Sequence, residues 1–138
     1  MAKQVSPHEA YDLMQKSGYT YVDVRSVEEF EAGHPQGAVN IPLMLRQAGQ
    51  MVPNPKFFDA LSGKFSPEAP LILGCQAGGR SARAVQMLEQ AGYRNVADSF
   101  AGWGGGQGPT GIQPGWHATG LPVDRGQPAE RSWASLQG

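Results

Sequence analysis

Along the first hundred residues, apolar positions recur with two alternating periods. From Ser6 to Gly18 the period is helical: Ala10, Leu13 and Met14 share one face, and Gly18 ends the run. The punctuation agrees, because Ser6 with Glu9 forms a capping-box pattern and Pro7 stands at the first helical position. "YTYVDVR" then reads as a short strand rich in β-formers. Ser26 with Glu29 predicts a second capped helix reaching Phe30, and "GAVNIP" (37–42) predicts another strand ended by Pro42. Residues 43–52 fit neither period. Asn54 and Pro55 open a helix with Phe57, Phe58 and Leu61 expected to face inward.

The next strand differs in kind. "APLILG" is apolar throughout, the pattern of a strand covered on both faces. A helix follows from about Ser81, its predicted cap, to Ala91, with Ala84, Val85, Leu88 and Ala91 on one face. "NVADSF" supplies the last strand. Strand–helix alternation of this sort predicts an α/β fold, a small, mostly parallel sheet with helices on both faces. The expected division is one domain over residues 1–123. Within it, 101–120 is a Gly/Pro-rich inserted loop, and 124–138 forms a poorly ordered tail.

Composition narrows the function classes. A chain of 138 residues, 40% hydrophobic with a formal net charge of −1, has enough apolar content for a core. It shows no basic excess for nucleic acid, and no apolar run of membrane-spanning length. The start of the chain lacks the apolar segment of a signal peptide, so a cytoplasmic location is expected. No Cys/His cluster has metal-ligand spacing, and neither a metal nor a cofactor is expected. The single cysteine rules out an internal disulfide and a dithiol mechanism within one chain.

That cysteine, Cys75, sits where the buried strand ends, the rim at which open α/β sheets collect ligands. Gln76, Ala77, Gly78 and Gly79 bridge to the helix, and Arg80 and Ser81 follow at once. Glycines let successive amides point into a nest, a helix N-terminus adds partial positive charge, and Arg80 adds a full one. Such surroundings favour the thiolate and mark Cys75 as a nucleophile able to hold a transferable group. His8, His34 and His117 each have a more ordinary explanation than service as a catalytic base.

These residues resemble a single-domain rhodanese, a thiosulfate sulfurtransferase-like protein. The likeness covers residues 6–123 and rests on "VDVR", "EEFEAGHPQGAVNIP", "CQAGGRS", "GYRNVADSFAGW" and "GLPV" in that order. It implies that Cys75 carries sulfane sulfur as a persulfide. The sulfur would come from a donor such as thiosulfate and pass to cyanide or a thiol, including a protein thiol. The resemblance also implies that the amides of residues 76–80 cradle the sulfur and that Arg80 stabilises its charge, with Asp23 as Arg80's partner. Arg25 and Glu29 would form a helix-start ion pair, and His34 and Asn40 would serve the scaffold.

Four residues separate Cys75 from Arg80, one fewer than in the phosphatases and arsenate reductases of related fold, which disfavours those activities. A low-turnover binding or sulfide-sensing module is the alternative. Gly79 stands where efficient thiosulfate users often carry a basic residue. Arg46 would compensate if its segment folds over the site. Separately, the stretched "GWGGGQGPTGIQPGW" region is expected to bring Trp103 or Trp116 over one side of the mouth and so to shape acceptor choice.

Overall fold

The computed structural model describes residues 3–109, 111–128 and 131–137. In chain order the elements are β1 (Lys3–Val5), α1 (Pro7–Lys16), β2 (Thr20–Asp23), α2 (Val27–Ala32), β3 (His34–Pro35) and β4 (Val39–Asn40). Next come β5 (Met44–Gln47), β6 (Gln50–Pro53), α3 (Phe57–Lys64), β7 (Leu71–Gly74), α4 (Gly79–Gln90) and β8 (Val96–Ser99). The chain closes with β9 (Gly106–Gly108), β10 (Gly111–Gln113), a 3-10 turn (Trp116–Ala118), β11 (Val123–Asp124) and α5 (Trp133–Gln137).

Both predicted capping boxes are present. Ser6 and Glu9 exchange hydrogen bonds at the start of α1, and Ser26 and Glu29 do the same at α2. The central sheet is parallel, with strand order β1-β8-β7-β2-β4. Strand alternation sorts its side chains onto two apolar faces. Val22, Leu71, Leu73 and Val96 pack with Phe57 and Leu61 of α3 and with Ala84, Val85 and Leu88 of α4. Tyr21, Ile72, Ala97 and Val5 pack with Ala10 of α1, Phe30 of α2 and Trp116. The fold is therefore α/β with helices on both faces. In β7 every residue is buried, as its unbroken apolar run requires.

Several elements differ from the sequence expectation. β1 goes unpredicted because three residues carry no readable period; it is stabilised by parallel pairing with β8. Phe57 and Leu61 are buried, but Phe58 is 37% exposed and meets Tyr93 edge-on. The unassigned residues 43–52 form the antiparallel hairpin β5–β6, turned by Ala48 and Gly49, both at positive φ (52° and 77°).

The 101–120 stretch is partly built as well. β9 and β10 pair as a hairpin, and Trp116 is wholly buried. After residue 123 part of the described chain packs down: Trp133 is 5% exposed within the α3–α4 core. The Arg131 carbonyl accepts the amide of Asn40 on the edge strand β4, 2.8 Å away. A single tryptophan in a polar tail shows no periodicity, so its burial was not legible in advance.

Candidate active site

β7 runs out at Gly74 and α4 begins at Gly79, so Cys75 and the three residues after it form the turn between them. Gly78 makes the turn possible. Its φ of 99° is a left-handed conformation open to glycine, and a Cβ there would lie 2.7 Å from the Phe100 carbonyl oxygen. The turn aims the Gly78 amide at Cys75 Sγ, 3.0 Å away. Of the predicted cradle of residues 76–80, this amide makes the hydrogen bond to sulfur. Gln76 and Ala77 are exposed along the turn, as is Gly79 at the first position of α4. Cys75 itself is 1% exposed.

Glycine-rich chain braces the turn from outside. Gly102 has a φ of 55° and passes so near that a Cβ would stand 2.1 Å from the Cys75 carbonyl oxygen. The next amides, of Trp103 and Gly104, then donate to the carbonyls of Cys75 (2.8 Å) and Gln76 (2.9 Å). The first part of the 101–120 stretch thus acts through its backbone, fixing the sulfur-bearing loop.

Ser81 does not cap α4, which starts two residues earlier after Gly78. It lies buried in the first helical turn, its hydroxyl 3.5 Å from Cys75 Sγ, 3.1 Å from the Gly78 carbonyl and 2.8 Å from Asp98 Oδ1. Asp98, from β8, is 6% exposed, and burial raises its carboxyl pKa while the Ser81 hydrogen bond partly offsets the rise. Sequence reasoning missed Asp98. The signal was a carboxylate inside an otherwise small and apolar strand, but only the register of β8 against α4 gives it a partner.

The ion pairs also differ from expectation. Arg80 grips Glu29, not Asp23, with Nη1 at 2.7 Å from Oε1 and Nη2 at 3.0 Å from Oε2. Asp23 is taken by Arg25, whose Nε and Nη2 reach its carboxylate at 2.7–3.1 Å, and Arg25 does not pair with Glu29. The cause is local. Arg25 precedes the Ser26 cap and folds back on the end of β2, where its Nη2 also reaches the Gly33 carbonyl at 2.6 Å. Glu29, one turn into α2, faces the Cys75 loop instead. Burial alone would raise the Glu29 carboxyl, but Arg80 and the Ser26 amide and hydroxyl outweigh it and hold it at about 2. Glu29 in turn raises the proton affinity of Arg80, and the neighbouring Cys75 adds to the rise.

Above Arg80 opens a cavity of about 340 Å³ lined by Glu29, Met44, Arg46, Met51, Arg80 and Arg83. The β5–β6 hairpin carries Arg46 to this mouth, as its compensating role requires. Arg83, one helical turn beyond Arg80, was not foreseen. Among the described residues neither Arg46 nor Arg83 is ion-paired. The tryptophans lie elsewhere. Trp116 is sealed against Tyr11 and Tyr21, and Trp103 packs on Gly33, with Arg25 5.0 Å from its ring centre. Neither lines the cavity. Large rings in a glycine-rich stretch find apolar surface to cover, and here that surface is the α1–α2 side of the sheet.

His34 and Asn40 occupy buried scaffold positions. His34 Nδ1 is 2.7 Å from the Phe30 carbonyl oxygen, and Asn40 Nδ2 donates to the Asp23 and Arg25 carbonyls. Among the described residues no group of His, Cys, Asp and Glu could hold a metal ion, and no helix is long and apolar enough to cross a membrane.

Comparison with known proteins places the fold and the family. The Rhodanese-like domain model matches residues 6–105. The chain is 40% identical to "Thiosulfate sulfurtransferase 16, chloroplastic" of Arabidopsis thaliana, over 86% of this chain and 90% of that protein. It is 39% identical to "Senescence-associated protein DIN1" of Raphanus sativus over 65% of this chain, spanning about half (49%) of that protein. Among solved structures, Rv0390 from M. tuberculosis superposes with a TM-score of 0.73 at 26% identity, covering 91% of this chain and 98% of that one. The chain belongs to the rhodanese-like family.

Proposed function

We propose that the protein is a sulfurtransferase in which Cys75 carries sulfane sulfur as a persulfide. The Cys75 thiolate attacks the outer sulfur of a donor such as thiosulfate. The donor's S–S bond breaks, sulfite leaves with the electron pair, and Cys75–S–S⁻ remains. A thiophilic acceptor, cyanide or a thiolate, then attacks the outer sulfur and Cys75 departs as thiolate. The observation that carries the reading is the Gly78 amide 3.0 Å from Sγ in a turn closed by Arg80. Placed at the start of α4, it stabilises negative charge on sulfur before and after transfer. Relatives named as thiosulfate sulfurtransferases support the same chemistry.

Arg46 and Arg83 at the mouth favour an anionic donor and would supply the charge that Gly79 lacks. The tight Cys75–Arg80 loop argues against a phosphatase or arsenate reductase, which must wrap a tetrahedral oxyanion. A second reading, a low-turnover binding or sulfide-sensing module, draws support from the near-complete burial of Cys75. Steady-state kinetics with a panel of sulfane donors and with cyanide, thiol and protein-thiol acceptors separates the two. A transferase gives parallel-line, ping-pong kinetics that Cys75→Ser abolishes. Absence of turnover with every pair supports the binding module.

A further inference from the structure

We infer that Asp98 is the proton acceptor for the Cys75 thiol, reached through the Ser81 hydroxyl. The inference rests on Cys75 being the nucleophile and adds how that nucleophile is made. Three side chains from three segments, the end of β7, the first turn of α4 and β8, meet in a buried line: Sγ to Oγ 3.5 Å, Oγ to Oδ1 2.8 Å. Their exposures are 1%, 0% and 6%, so bulk water has little access to the thiol from this side.

A hydroxyl has one proton and two lone pairs. When Ser81 donates to the Asp98 carboxylate, a lone pair faces sulfur and accepts the S–H of a neutral thiol. In the other arrangement the S–H bond breaks and the proton passes to Ser81 Oγ. The Ser81 proton moves on to Asp98, leaving a thiolate, a serine that donates to sulfur, and a carboxylic acid that donates to serine. The net charge of the three groups is the same in both arrangements, so no charge need enter or leave the buried space. The Gly78 amide, 3.0 Å from Sγ, favours the second.

The surroundings suit this role. Both nearby guanidinium groups are occupied, Arg80 by Glu29 and Arg25 by Asp23. Asp98's register neighbours, Gln4 on β1 and Leu73 on β7, carry no charge, and α4 presents Ser81. Tyr21, on the opposite face of the sheet, is held protonated by burial, with Asp23 adding to the effect. Among the described residues no cation holds Asp98 ionised, and burial raises its proton affinity. A purely structural tie between α4 and β8 would need only an acceptor for the Ser81 hydroxyl, which an asparagine side chain also provides.

The test uses the full chain, whose one cysteine makes total alkylation a direct reading of Cys75. Iodoacetamide rates are measured against pH for wild type, Asp98→Asn, Ser81→Ala and the double variant. Each single variant is expected to react about tenfold or more slowly at neutral pH, against the ~10²–10⁴ typical of a positioned acid–base group. The profiles move to higher pH and rejoin wild type under alkaline conditions, and the double variant is no slower than the slower single. Superposable profiles, or a uniform drop at every pH, overturn the inference.

Should Asp98→Asn fail to fold by circular dichroism, difference infrared spectroscopy of aspartate-labelled wild type gives the answer. A carboxylic-acid band growing in with the thiolate supports the relay, and its absence overturns it. Alkylation needs no sulfur donor, so the relay can hold in a protein that transfers no sulfur, and the two failures are distinguishable.

Discussion

Replacing Glu29 by glutamine perturbs the site at the anchor of Arg80. The glutamine oxygen can keep the capping-box bond to the Ser26 amide and the contact with Arg80 Nη1, at 3.0 and 2.7 Å in the wild type. The second contact fails, because an amide NH₂ replaces the Oε2 that Nη2 meets at 3.0 Å. The carboxyl moves from 4.5 to about 2 on folding, which corresponds to at most ~3 kcal/mol. The pair is 23% and 28% exposed, and solvent screening reduces its worth to about 1–2 kcal/mol. Thermal unfolding at neutral pH should therefore show Tm lowered by about 3–8 °C.

The pH dependence follows from the direction of the shift. A depressed carboxyl stabilises the fold fully above its ordinary value of 4.5, and that contribution is lost as pH falls through about 2. The gap between wild type and Glu29→Gln should close across that window. Persulfide loading should fall as well, since Arg80 loses its two-point hold. An unchanged Tm at neutral pH, or a gap that persists below about pH 2, would refute the reasoning.

Two further outcomes follow from the mouth and the brace. Arg46→Ala and Arg83→Ala should each raise KM for thiosulfate about two- to fivefold with kcat near wild type, as expected for exposed charge contacts. The effect should shrink with added salt, and a salt-independent loss of kcat would contradict the assignment. Gly102→Ala drives a Cβ toward the Cys75 carbonyl oxygen, 2.1 Å from its ideal position, at a φ of 55°. It should cost about 1–3 kcal/mol by thermal or denaturant unfolding and slow sulfur loading; wild-type values for both would show that the brace is dispensable.

What the sequence revealed was whatever is local. Ser6 with Glu9, Ser26 with Glu29 and the apolar run into Gly74 announce their elements because each signal spans a few residues and acts through the backbone. Cys75 and Arg80 were legible for the same reason: strand end, glycine turn and helix start are contiguous. Partner choice was not. Asp23 and Glu29 are both acidic and both close to the loop, and only the turn of α2 decides which one meets Arg80. Asp98 looks like a strand residue until β8 is set beside α4. Trp116 and Trp133 lie in stretches without period, and their burial depends on sheet faces assembled by distant residues. Arg46 needed a hairpin whose turn uses Ala48, an unusual residue at positive φ.

Intact-protein mass spectrometry after incubation with thiosulfate addresses the Cys75 carrier directly. The wild-type chain should gain the mass of one sulfur atom, located on the peptide containing Cys75. Cyanide should remove it with release of thiocyanate, and Cys75→Ser should never acquire it. A folded wild-type protein that gains no sulfur from thiosulfate or any other sulfane donor, or that gains it equally in Cys75→Ser, would contradict the account.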